Sequence, residues 1–294
     1  MQSIQPRESL PHVDNPLGME GIEFIEYFTT KPQALGQVLE SVGFHPVARH
    51  RSREVLLYRQ GDMNIIVNAH DENGSRQSAE QGGPVIGAIA LRVRDAGLAY
   101  RRALDKGAWA VPTHVEVMEL NIPAIHGVGS SRIYFVDRFR EFSIYDVDFV
   151  PIPGVEQKPA AIAGFHFFGA VQYIGWERTE DWTEFYRELF GFTTIPDDER
   201  FGILPRGRLL RSPCHSFMVQ LVEPHPGQEL EGDVAESFDR IGLGTPDVAE
   251  AVRLLKQRGV LFVESPDSPP STLGALASGQ LFGLSFELVH AAAR

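Results

Sequence analysis

The strongest constraint on this fold is that the chain repeats itself. Gly21-Ile22-Glu23-Phe24-Ile25-Glu26-Tyr27-Phe28 opens one half and Gly164-Phe165-His166-Phe167-Phe168 opens the other, both as strands. Each is followed by a helical stretch that stops at a glycine, Gly43 or Gly191. Glycine takes the left-handed conformation that closes a helix more readily than any other residue. Strand-rich runs follow, Glu54 to Asn68 and Leu209 to Val222. A second unit then begins in each half, at Ala88 to Asp95 and at Arg240 to Asp247, leading into helices that end at Gly107 and Gly259. Both halves close on an expected strand bearing an acid, Asp146 in Ser143 to Val147 and Glu287 in Leu284 to Leu288. The order of strand, helix and strands therefore occurs four times, giving an α+β chain of two modules made of paired βαβββ units. The proline-rich stretch 151–159 separates them. Residues 1–16 are expected to be a flexible tail, 17–150 the first module and 160–294 the second.

Charge and cysteine content remove several function classes. The formal net charge is −12 over 294 residues, which argues against a nucleic-acid or anionic-membrane footprint. One cysteine, Cys214, allows no internal disulfide and no thiolate zinc cage. No apolar run approaches the roughly 18–20 residues of a membrane span. The first 16 residues have no hydrophobic signal core, so a soluble, cytoplasmic protein is expected, with homo-oligomerisation left open. There is neither a phosphate-binding Walker loop nor a dinucleotide fingerprint. Cys214 and His215 are adjacent, and on a strand they would point to opposite faces, which disfavours a Cys–His nucleophile.

Several segments resemble 4-hydroxyphenylpyruvate dioxygenases. They are Glu23-Phe24-Ile25-Glu26, His50-Arg51-Ser52, Leu57-Tyr58-Arg59-Gln60-Gly61, Met118-Glu119-Leu120-Asn121-Ile122-Pro123-Ala124-Ile125, Val136-Asp137-Arg138-Phe139 and Ile144-Tyr145-Asp146-Val147-Asp148-Phe149. The likeness is dense over 15–157 and thinner over 160–290. The same pattern is similar to the dioxygenase-like half of fused bacterial 3-dehydroshikimate dehydratases. The resemblance implies two tandem vicinal-oxygen-chelate modules, the first without metal or catalysis. It also implies Fe(II), or another divalent metal, in the second module on two His and one Glu, with positions open for a 2-oxo acid and O₂.

Residue by residue, the resemblance places metal ligands at His166 and Glu287 and the missing histidine at Arg240. A guanidinium has no lone pair to offer, so Arg240 cannot replace imidazole. Gln220 is a candidate third donor, and His215, expected further back on the same strand, is another. Gln280 corresponds to a substrate-contacting glutamine, and the family's covering C-terminal helix has no counterpart before Arg294. Arg240 and Glu287 could equally pair with each other beside His166 and bind an anion. On residues alone, His166 on an apolar strand reads as a satisfied core histidine and Glu287 as an edge-strand acid. In the first module the matching positions are roughly Glu23, Ala88 and Asp146. His50, His70, His114 and His126 read as surface or interface residues. Trp176, Trp182, Phe185, Tyr186 and Phe190 read as one helix face on the sheet.

Two functions follow. One is oxidation of an aromatic 2-oxo acid by a dioxygenase with a degraded iron site, with weak or no turnover of 4-hydroxyphenylpyruvate. The other is a catalytically reduced paralogue that binds an anionic aromatic ligand or partners an aromatic-degradation enzyme.

Overall fold

The computed structural model describes residues 15–70, 76, 78, 80, 82–112, 120–196, 207–224, 235–263, 272–278 and 282–292. Gln280 and His114 lie outside these residues. The first sheet contains β1 (Gly21–Phe28), β2 (His45–His50), β3 (Val55–Gln60), β4 (Met63–Asn68), β5 (Val85–Arg92), β6 (Ala124–His126), β7 (Arg132–Val136) and β8 (Phe149–Pro151). Its spatial order is β6-β7-β5-β1-β4-β3-β2-β8. The second contains β9 (His166–Tyr173), β10 (Thr193–Thr194), β11 (Arg208–Arg211), β12 (Met218–Val222), β13 (Ser237–Thr245), β14 (Gly274–Leu276) and β15 (Phe286–His290). Its order, β10-β11-β12-β9-β13-β15-β14, is the first read backwards without β8.

The helices are α1 (Pro32–Val42), α2 (Ala96–Asp105), α3 (Ile144–Asp148), α4 (Thr179–Phe190) and α5 (Val248–Gln257). Asp95 and Asp247 cap α2 and α5 by accepting from the amides of Leu98 and Glu250. α1 and α4 stop at Gly43 and Gly191, both left-handed. Their apolar faces, Leu35, Leu39 and Val42 on α1 and Trp182, Tyr186, Leu189 and Phe190 on α4, are buried in the main core. That core runs through both sheets, with β5 against β13. Trp176 precedes α4 and is 44% exposed, so it is not part of the expected aromatic face. None of the described helices is long and apolar enough to cross a membrane.

The two sheets also share their irregularities. In β1, Ile22 and Phe24 face consecutive residues of β5, leaving Glu23 extra, and in β9, Phe167 and Gly169 face consecutive residues of β13, leaving Phe168 extra. The partner strands bulge in matching places, at Gly87 and Asp239. This register corrects the sequence alignment of the halves. Ala88 does match Arg240, but the counterpart of His166 is Gly21 and that of Glu287 is Tyr134. Asp146 is not on a closing strand. Ser143 and Asp146 form a capping box that winds residues 144–148 into α3 instead. His215 and Cys214 are likewise not on a strand. They lie in the turn between β11 and β12, His215 with a φ of 59°.

The start of α4 has a distant cap. Glu223, just after β12, accepts from the Thr179 amide and hydroxyl. Partial burial pushes its carboxyl up, but the Thr179 bonds and the nearby backbone donors outweigh this and hold it below its ordinary value. A carboxyl depressed in the folded state stabilises above its unfolded pKa, and that contribution disappears as pH falls through the folded value. Glu223→Gln should therefore flatten the acid side of the stability curve. Urea midpoints at about pH 7 and about pH 3 would show a smaller difference in the variant than in wild type.

Candidate functional site on the inner face of the second sheet

Alternate residues of a strand point the same way, so Arg240, Gly242 and Gly244 of β13 share one face. Pairing places His166 of β9 beside Gly244 and Glu287 of β15 beside Gly242. Val171 lies beside Arg240, with Gln220 of β12 next to Val171. Thus His166, Gln220, Arg240 and Glu287, distant in sequence, all lie on one side of one sheet.

The side chains do not all converge. Arg240 and Glu287 do: they are 6% and 0% exposed, and Arg240 Nε donates to Glu287 Oε2 at 3.3 Å. Arg240 Nη1 also donates to Asp239 Oδ2 at 3.2 Å. Burial alone would lower the Arg240 pKa, but Glu287, Asp239 and Tyr173 together carry it above its ordinary value. Burial raises the Asp239 carboxyl despite that neighbour. Gln220 and Glu287 line one small cavity with Phe168, Gly169, Met218 and Gly242, of about 10 Å³. That is about the size of one water.

His166 occupies a different space. Its ring lies over Gly244, where a Cβ would fall 2.3 Å from Nε2. Its Nδ1 is 3.3 Å from the Gly164 carbonyl oxygen. It lines a cavity of about 690 Å³ with Phe165, Met218, His215 and His290, and Asp62 and Arg92 of the first module line it as well.

Phe168, with Met218, borders both spaces, and sequence reasoning missed it. Its ring packs over Gly242, so that a Cβ there would lie 3.4 Å from Cδ1. The signal was present as a large apolar residue two positions after His166. Its inward direction depends on the bulge, which no single-sequence pattern reveals.

This donor set does not fit a divalent cation. The Glu287 carboxylate is committed to a guanidinium, whose positive charge would repel a metal ion beside it. The cavity beside Glu287, which Phe168 also lines, has a volume of only about 10 Å³. Among the described residues no three His, Cys, Asp or Glu side chains form a group able to hold a metal ion.

The paired sheets, with polar residues gathered on the second inner face, define a two-sheet mixed α/β protein. Residues 13–150 match the family model described as hydroxyphenylpyruvate dioxygenase, HPPD, N-terminal. The chain is 32% identical over 266 residues to a 4-hydroxyphenylpyruvate dioxygenase of Pseudomonas aeruginosa, covering 86% of this chain and 74% of that one. It belongs to the 4-hydroxyphenylpyruvate dioxygenase family. It is also 32% identical over 263 residues to a 3-dehydroshikimate dehydratase of the same organism, covering 84% of this chain and 40% of the other. Among solved structures, a xylose isomerase-like TIM barrel/4-hydroxyphenylpyruvate dioxygenase fusion protein shares the fold, with a TM-score of 0.70 and 23% identity. The likeness covers 97% of this chain and 51% of the fusion protein.

Proposed function

We propose that this chain is a catalytically reduced member of its family, built from two vicinal-oxygen-chelate modules, that binds an anionic aromatic ligand without oxidising it at iron. The observation that carries this reading is the buried Arg240–Glu287 ion pair, with Phe168 lining the same small cavity as Glu287. Fe(II) would need His166, Glu287 and a third donor such as Gln220 at one point, and these side chains are divided between two cavities.

Ligand binding is assigned to the cavity of about 690 Å³, within the ~300–1,000 Å³ range of small-molecule pockets. Phe165, Phe217 and Met218 offer an apolar wall for a ring. His166, His215 and Arg92 offer donors for a 2-oxo acid carboxylate. Arg240 is not a ligand contact in this reading, because its guanidinium is already held by two carboxylates. The acidic chain acts in the cytoplasm and takes no nucleic acid. The fusion protein that joins a 4-hydroxyphenylpyruvate dioxygenase unit to a xylose isomerase-like TIM barrel supports a role next to a partner enzyme.

Calorimetric titration with 4-hydroxyphenylpyruvate in chelator-treated buffer tests the reading. Saturable binding is expected without metal, weakened at least about tenfold by His166→Ala, the effect of losing one charge-assisted hydrogen bond. Stoichiometric iron uptake together with 4-hydroxyphenylpyruvate-dependent oxygen consumption by the wild type would overturn it.

A further inference from the structure

The first module's inner face is not the blank counterpart of the second. β8 extends the edge of this sheet, and Ile144 and Tyr145 of α3 and Phe149 of β8 join Phe24, Leu57 and Ala90 in a separate apolar cluster. On one side of that cluster is an open cavity of about 490 Å³. Its floor is a buried charged network. Glu23, the bulge residue of β1, is 2% exposed and accepts from Arg92 Nε and, at 3.3 Å, from Asn64 Nδ2. Arg59 Nε donates to Asn64 Oδ1 at 2.7 Å, and Arg59 Nη1 to the Gln157 carbonyl at 2.9 Å. Arg92 Nη2 donates to the Asp62 carbonyl at 3.1 Å. Each guanidinium also lies against a ring, Arg59 on Tyr145 and Arg92 on Phe139, at 5.4 and 5.6 Å from the centroids.

Buried charge networks are seldom the most stable way to fill a fold, so their presence calls for a reason. Here the fold itself supplies a control. Matching the two registers, Glu23, Asn64 and Arg92 have Phe168, Met218 and Gly244 as counterparts in the second module. The same bulge and the same strand pairs therefore form without any of these charges, and architecture does not demand them. Around the whole cavity five cations (Arg51, Arg59, Arg92, Arg140 and Lys158) stand against four carboxylates (Glu23, Asp62, Glu141 and Asp146), which leaves one excess positive charge. Arg59 and Arg92 are both pre-oriented by bonds to backbone and side chains, which lowers the entropic cost of binding an anion.

We infer that the first module holds a second ligand site, one that takes a small hydroxylated carboxylate, with its carboxylate on Arg59 and Arg92. The walls explain the hydroxyls: Asp62, Glu141 and Asp146 line the same cavity and offer acceptors, which suit O–H donors. This site shares Arg92 with the cavity assigned to the aromatic ligand above, and Arg59 and His166, each lining only one of the two cavities, tell the two readings apart.

The test uses the full chain with glycolate, glycerate, gluconate and quinate as probes and sorbitol as the uncharged control, followed by calorimetry and thermal shift. At least one carboxylate is expected to bind with a Kd below about 1 mM, sorbitol not at all. Arg59→Gln should weaken that binding at least tenfold, and His166→Ala should leave it unchanged. Arg92→Gln alone strands Glu23, so the neutral pair Glu23→Gln with Arg92→Gln is the second variant, also expected to lose at least tenfold. The inference is overturned if none of the carboxylates saturates below about 1 mM, if sorbitol binds equally, or if folded Arg59→Gln and the neutral pair both bind as wild type does.

Discussion

Arg240→Leu is expected to cost about 3–5 kcal/mol of folding stability, a large part of what holds a domain together. The pair it breaks is buried on both sides, with Glu287 fully enclosed. Leucine fills the space but leaves that carboxylate without its guanidinium, and a solitary buried charge is worse than either a pair or none. The companion variant decides the cause. Arg240→Met combined with Glu287→Leu removes both charges and should lie from near neutral to about 1–4 kcal/mol more stable than wild type. Denaturant unfolding with an unchanged m-value measures both. If the single variant costs no more than the double, the ion pair is not what closes this face.

The second large effect concerns metal. Wild type is expected to take up no stoichiometric Fe(II), whereas Arg240→His with Phe168→Ala should bind it at least about 10–100-fold more tightly, taking as a floor the loss seen when mere supports of metal ligands are removed. Histidine supplies the lone pair that guanidinium lacks and takes away a like charge. Removing the Phe168 ring opens the space between Glu287 and His166, since it is this ring that packs over Gly242. In the variant without metal the Arg240–Glu287 ion pair is gone, so added Fe(II) should raise its Tm while leaving wild type unmoved. Stoichiometric iron on wild type, with affinity unchanged in the variant, would show that Arg240 is not at a ligand position.

The internal duplication could be read without coordinates because strands and helices write different periods into the chain, and the chain writes the same order twice. The glycines at 43 and 191 and the capping aspartates at 95 and 247 punctuate it at matching places. Arg240 was readable for the same reason: a residue type either has a lone pair or does not. Alignment of the halves failed where it depended on strand register. Glu23 looks like the match of His166 because both sit near the start of an opening strand, yet the pairing with β5 and β13 offsets them by two. Asp146 failed through local chemistry, because a capping box outcompeted the strand pattern.

By itself, then, the amino-acid order determined the internal repeat, the family and the guanidinium that stands at position 240, all of which are properties of residue type and spacing along one dimension. Only the tertiary structure decided that Glu287 is neutralised by Arg240, that Phe168 turns inward, and that His166 faces another cavity. It also decided that Glu23, Arg59, Asn64 and Arg92 meet on a second floor. The physical reason is common to all of these. A one-residue bulge changes which face a side chain occupies, and burial changes what a charge costs. Both depend on which strands lie side by side, which no local pattern in the chain specifies.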